Sequence, residues 1–460
     1  MRSDALRWCG VRCCVAAVAL AATMLVVARP AAAQPGFGFN NRSVGGIAVD
    51  VNGLLQVADL DAVGQLQKLR AGALTAIPAP LGQQVADRKI SLRGLQAKIR
   101  ACREKGQELP DEVIFLAGLQ RIRYVLVYPD KQDVVLVGPG EGWKIGPKGE
   151  AVGATTGRPV MLLDDLATAL RAALDPQARM AEITCSIDPT AEGVAALRQH
   201  VARLKTIGNP QTTAAGIERV LGQQQITLSG VPGESHFARV LVAADYRMKR
   251  LAMGFEASPV RGLPSYLQMI PAGSRGMDDP QPRWWLTPNY RPLLRDADGL
   301  AWEIRGASVK AMTEQDFFTA AGQRQHTGQA NPVAQQWADA MTARYDQLAA
   351  VEPIFGQLQN CIDLTIVAGL LTQQGLAAKA GLDLDVLAGG QSVPPMKFHV
   401  PKTVGSQASL MKKGSDWVIA VSGGVKINPR TLLEKAERSE KPMTIRDEAK
   451  LGEHADWWWN

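Results

Sequence analysis

Two stretches of the chain repeat one pattern in one order, and this limits the fold more than any other feature. Leu92–Ile99, "LRGLQAKI", and Leu197–Leu204, "LRQHVARL", both read L-R-x-x-x-A-[K/R]-[I/L]. A proline follows each (Pro110, Pro210), and a second helical stretch closes on G-x-Q-x-I, at Gly118–Ile122 and Gly222–Ile226. Each copy then enters a strand broken at Pro129 or Pro232. Each is preceded by a strand ending in aspartate, "IAVD" at Asp50 and "ITCSID" at Asp188. Matches at nearly constant offset predict a diverged duplication of a strand–helix–helix–strand unit. Two copies are too few for a solenoid. The expected fold is mixed α/β (α+β), with two related lobes, a helical hairpin and a small C-terminal β unit.

Local signals set the boundaries. The first lobe is expected over residues 43–180 and the second, with the helical pair Pro332–Ala349 and Pro353–Gln373, over 181–375. The β unit takes 394–428, and a charged tail, 429–460, ends in the run Trp457–Trp459. Ser91 is expected to open a helix that closes near Gly106, and "LPDEVIFLAGL" to form a second one. Ser235 is expected to cap a helix whose apolar stripe is Phe237, Leu241, Ala244, Met248 and Leu251. "YVLVYPDKQDVVLVGPGEGW" reads as a hairpin turned at Pro129–Asp133.

The first 33 residues read as a removable leader, not as fold. Arg2, Arg7 and Arg12 precede an apolar run from Cys13 to Val27, and Ala31 and Ala33 occupy the small-residue positions of a cleavage site after Ala33. That run is shorter than the ~20 apolar residues a spanning helix needs. Residues 34–42 read as a flexible leader to the first lobe, and no later segment reads as long and apolar enough to span a bilayer, so no transmembrane segment is expected in the mature chain. The protein is therefore expected to be exported, periplasmic or extracellular. Export dilutes the charge. Arg2, Arg7, Arg12 and Arg29 leave with Asp4, so the net +7 of the chain falls to about +4. With no basic run, nucleic acid is not an expected partner. Cys102, Cys185 and Cys361 remain, as one disulfide and a free thiol or as three buried thiols.

Few residues carry recognisable chemistry. A phosphate cradle joins a strand to a helix N-terminus. Gly138-Pro139-Gly140-Glu141-Gly142 instead leads into further strand and turn, and Pro139 removes an N–H. Its glycines are expected to shape a strand exit. "AVSGG" around Ser422 and "AGSRG" around Ser274 are only relaxed forms of a nucleophile elbow. The five histidines lack the i+3 or i+4 spacing of metal ligands, so neither metal nor cofactor is expected. His236, beside Glu234 and Ser235 in the first turn of its helix, reads as a packed or capping side chain before a lone base. Asp296-Ala297-Asp298-Gly299 is a hairpin turn, since the twelfth position of a calcium loop would fall on Ala307. Trp284, Trp285 and Trp302 read as core. The terminal tryptophans fold back, dock to a partner or sit at a membrane surface.

Several of these segments together, "RIRYVLVYPDKQDVVLVGPGEGW", "RPVMLLDDL", "CSIDPTAEG", "GVPGESHFARVLVAADYRMKRLAMGFE" and "RWWLTPNY", resemble a family of exported planctomycete proteins described as a domain of unknown function. The resemblance spans about residues 44–375. It implies export and a recurrent architecture, and brings no catalytic residues. The expected function is non-enzymatic binding, scaffolding or envelope assembly, with an envelope protein or an extracellular ligand as partner. The alternative is an extracytoplasmic hydrolase with a dispersed site. Candidate binding residues are Gly138, Gly140, Glu141 and Trp143 in the glycine loop, and His236.

Overall fold

Ser91 opens the first long helix as its sequence predicts: the side chain accepts from the Gly94 amide, and helix α1 runs Leu92–Glu104. In this computed structural model the described residues are 47–49, 55–57, 74, 76–147, 149–175, 182–204, 209–271, 281–318, 324–326, 328–398, 400–408, 411–413, 416–418, 422–452 and 457–460. The expected leader with Ala33, residues 34–42, Ser274 and His399 lie outside them.

The protein is mixed helix and sheet, α+β, with several sheets. The strands are β1 (Ile47–Val49), β2 (Leu55–Val57), β3 (Val85–Ser91), β4 (Tyr124–Tyr128), β5 (Asp133–Gly140), β6 (Trp143–Ile145), β7 (Ala151–Gly153), β8 (Ile183–Pro189), β9 (Gln223–Ser229), β10 (Gln281–Tyr290), β11 (Leu294–Arg295), β12 (Ala301–Glu303), β13 (Gly306–Phe318), β14 (Arg324–His326), β15 (Thr403–Gly405), β16 (Met411–Lys413), β17 (Asp416–Val418), β18 (Ser422–Ile427) and β19 (Glu437–Arg438). A six-stranded sheet has the order β19-β11-β12-β4-β5-β3, and a seven-stranded sheet the order β14-β13-β10-β18-β8-β9-β15.

The longer helices after α1 are α2 (Leu163–Leu174), α3 (Ala191–Arg203), α4 (Pro210–Leu221), α5 (His236–Ala252), α6 (Pro332–Ala343), α7 (Tyr345–Val351), α8 (Pro353–Thr372) and α9 (Lys441–Glu448). Ser235 caps α5 by accepting from Ala238, and the whole expected apolar stripe of α5 is buried. α5 packs on β8 and β18, and α8 packs against α2, α5 and α7.

Three expectations are corrected. The likeness of the two halves does not extend to strand pairing. β8 and β9 pair directly and antiparallel, whereas β5 lies between β3 and β4, and among the described residues the upstream strand β1 pairs with β2 alone. The hairpin return of β5 supplies ladder partners to both neighbours, so β3 and β4 never meet. Second, the C-terminal β unit is not separate as a whole: β18 lies between β10 and β8 and β15 extends β9, while β16 and β17 form a two-stranded sheet of their own. The glycines of β18 permit this, because a Cβ on Gly424 would strike the Cys185 carbonyl and one on Gly423 the Trp284 carbonyl. Third, α8 is long and apolar enough to cross a membrane by length and composition, although 94% of its most apolar window is buried within the protein.

"LPDEVIFLAGL" departs from a regular helix. It forms one turn, Asp111–Ile114, and then Leu116 and Ala117 take positive φ. The backbone bends there to meet the glycine exit of β5, where Gln120 donates to Pro139 and Glu141 donates to Gly118. The tail is docked: Trp458 is buried, and Trp459 bridges Ile90 on the outer edge of β3. Of the three fates open to the terminal tryptophans, the structure shows folding back onto the body. Cys102, Cys185 and Cys361 are all buried free thiols.

Candidate functional site

The glycine exit of β5 is shaped by close approach. A Cβ on Gly138 would collide with the Arg121 carbonyl, and one on Gly140 with the Arg88 side chain. Arg88, 1% exposed, uses that space to donate to the carbonyls of Leu81 and Gln83 at 3.3 and 3.1 Å. Glu141 is fully buried and accepts from Thr155 N (2.8 Å), Thr156 N (3.1 Å), Gln120 Nε2 (2.7 Å) and the Thr156 hydroxyl. Burial pushes its carboxyl up, but these hydrogen bonds outweigh burial and hold it below the usual carboxylate range. Trp143 is buried edge-on against Phe115. As candidates for a binding surface, Glu141 and Trp143 are therefore corrected: both face inward, and Glu141 ties the loop at 153–158 to the sheet.

His236 is also buried, at the start of α5, but it meets a different neighbourhood. Its Nδ1 lies 3.0 and 3.1 Å from the two carboxylate oxygens of Asp165 on α2. A carboxylate only accepts, so Nδ1 is the donor of this pair. Phe398 packs edge-on against the imidazole at 5.1 Å, and the Arg239 guanidinium lies over that phenyl ring, 5.8 Å from its centroid. The segment carrying Phe398 is pinned on both sides. Met396 N donates to Asp164 Oδ1 at 3.2 Å, and Phe398 N donates to the Glu234 carbonyl at 2.6 Å. Burial raises the Asp164 carboxyl, and its Oδ2 has no hydrogen-bond partner. Burial likewise lifts the Cys361 thiol, and Asp165 adds to the effect, so Cys361 is no activated nucleophile. Ser235 is spent on its cap and on the Pro232 carbonyl.

An imidazole held through Nδ1 by a carboxylate has its orientation fixed, the arrangement a general base needs as well as one a structural brace uses. The side chains of Asp165 and His236 supply it, and the structure brings neither Glu141 nor Trp143 to them. Among the described residues, no group of three or more His, Cys, Asp or Glu side chains is arranged to hold a metal. The side chain of Ser422 lies outside the description.

Two further polar clusters escaped the sequence reading. Asp363, fully buried in α8, receives Arg121 Nε at 2.6 Å, Ile122 N at 3.2 Å and the Tyr290 hydroxyl. Asp245, fully buried in α5, lies 3.0 Å from Lys249 Nζ, which also donates to the Ile187 carbonyl. Both carried a signal. A lone aspartate in the apolar run "NCIDLTIVAG" needs a partner, and Asp245 and Lys249 stand four residues apart on one helix.

Residues 185–266 match a family model described as "Protein of unknown function (DUF1598)". The match takes in β8 from Cys185 onward, α3, α4, β9 and α5 with His236. No curated protein and no solved structure matches the chain.

Proposed function

We propose that this protein is an exported binding or scaffold protein, acting on an envelope protein or an extracellular ligand. The observation that carries this is the inward engagement of His236, with Nδ1 on the Asp165 carboxylate and the ring under Phe398. A polar pair spent in this way braces α2, α5 and the 396–398 segment. The leader and the family resemblance support export, to the periplasm or outside the cell, and the match over residues 185–266 supports membership of an uncharacterised domain family. Sequencing the N-terminus of protein recovered from the envelope or medium tests export: mature protein should start at Gln34. Affinity purification from the native envelope tests binding, and failure to retain any partner above a mock bait counts against it.

A second reading, an extracytoplasmic hydrolase, draws on the same pair, because Asp165 fixes the orientation of the imidazole, as a general base needs. Panels of ester, glycoside and peptide substrates distinguish the two. Turnover by the unaltered protein that His236→Gln abolishes would make it an enzyme.

A further inference from the structure

A carboxamide, a hydroxyl and a carboxylate meet at one oxygen atom, Glu141 Oε1. Gln120 lies just before β4, Glu141 just after β5, and Thr156 in the loop after β7. Oε1 accepts from the Thr156 hydroxyl and, at 2.7 Å, from Gln120 Nε2. Gln120 Nε2 also lies 2.7 Å from Thr156 Oγ1 and 3.3 Å from the Arg158 carbonyl. Three oxygens thus surround a nitrogen with only two hydrogens to give. Thr156 Oγ1 sends its own hydrogen to Glu141 and takes the Arg158 amide at 3.2 Å on one lone pair. Its second lone pair is left to face the carboxamide. The cluster is tightly enclosed. Glu141 and Gln120 are buried, and a Cβ on Gly153 would strike both the Glu141 carboxylate and Gln120 Nε2. A hydroxyl held by a carboxylate against an acyl carbon has the parts of a nucleophilic acyl transfer already in place.

We infer that Thr156 and Gln120 become joined by an intrachain ester, formed by the protein itself with Glu141 carrying the proton. Thr156 Oγ attacks Gln120 Cδ and passes its proton to Glu141 Oε1. The Oγ–Cδ bond forms and the Cδ–Nε2 bond breaks. Oε1, already in contact with Nε2, hands the proton to the departing nitrogen, which leaves as ammonia. No oxidant or co-reactant is needed, and departure of ammonia draws the exchange forward. The hydrogen bonds that keep Glu141 below the usual carboxylate range keep it ionised and so able to take the proton. The link would join residues 36 apart and fix the loop after β7 to the entry of β4. It would restrict the unfolded chain as a disulfide does, in a protein whose described cysteines are all free thiols. This inference rests on the cluster alone and is independent of the binding or scaffold role.

Peptide mapping of the full, folded chain tests it. Digestion should release the peptides bearing Gln120 and Thr156 as one species, lighter by one ammonia than their sum. Hydroxylamine, which cleaves esters and spares amides, should split that species. Thr156→Val and Glu141→Gln should each yield the two peptides separately. Joined peptides are the readout because an N-terminal Gln34 would cyclise with the same loss of ammonia from the whole chain. Separate peptides of full mass from the unaltered protein would overturn the ester and leave a hydrogen-bonded network. A joined species that resists hydroxylamine, or that persists in Thr156→Val, would assign the bond to other atoms. Its persistence in Glu141→Gln would remove Glu141 from the reaction. Circular dichroism on each variant separates loss of the reaction from loss of fold.

Discussion

Arg121 and Asp363 stand 242 residues apart in the chain and meet at 2.6 Å between Nε and Oδ2. Arg121 leads into β4 and Asp363 lies at the middle of α8. Asp363 also takes the hydroxyl of Tyr290, at the end of β10. One carboxylate thus joins the helix to elements of both large sheets. Burial works against the Arg121 charge, and Asp363 outweighs it and raises the basicity. Asp363→Ala leaves the guanidinium without its partner and should cost about 3–5 kcal/mol, as for other broken buried pairs. Urea denaturation of the variant and the unaltered protein measures the difference; a loss below about 1 kcal/mol, the range of exposed pairs, would show that the junction is not stabilising.

Gly138 allows β5 to lie against the Arg121 backbone. Gly138→Ala should cost about 1–3 kcal/mol, as overpacking does elsewhere. Gly405→Ala in β15 meets no atom within 4 Å and should stay within about 0.5 kcal/mol. Equal melting temperatures for the two variants would contradict the close approach.

Burial pushes the Asp245 carboxyl up to about 6, against the opposing pull of Lys249. The folded protein therefore holds this proton more tightly than the unfolded chain. The stability it lends is complete below the ordinary carboxylate value near 4 and is lost as pH rises through about 6. Asp245→Asn should remove that part of the pH dependence, a change of about 3 kcal/mol between pH 3 and 7 if the full shift is expressed. Denaturation midpoints across that range decide the matter, and an unchanged slope would assign it to other groups.

His236→Ala leaves Asp165 without its donor and Phe398 without its ring contact. The expected loss is about 1–3 kcal/mol, the cost of an orphaned buried polar group. The covering segment should also loosen. Lys397 is exposed within it, so tryptic cleavage after Lys397 should accelerate relative to the unaltered protein. An unchanged cleavage rate would separate His236 from the hold on this segment.

Local features were legible in the sequence because they depend on neighbours in the chain. The caps at Ser91 and Ser235, the stripe of α5, the β4–β5 hairpin and the glycine exit of β5 all follow from residue type and spacing. The partners of those elements were not legible. Nothing local distinguishes a strand that pairs within a C-terminal unit from β18, which enters the middle of a sheet. The irregular turn at Leu116–Gly118 also escaped, since a distant carbonyl, that of Glu141, decides it.

The sequence by itself determined the mixed helix-and-sheet class, most helix starts and the turn at Asp296–Gly299, because capping, periodicity and turn geometry are short-range effects. Only the tertiary structure decided that Asp165 faces His236, that Asp363 receives Arg121 and that the terminal tryptophans close the β3 edge. A buried charge or an open strand edge must be satisfied, but many residues can satisfy it. Which one does so is set by the packing of segments hundreds of residues apart, and no local pattern records that choice.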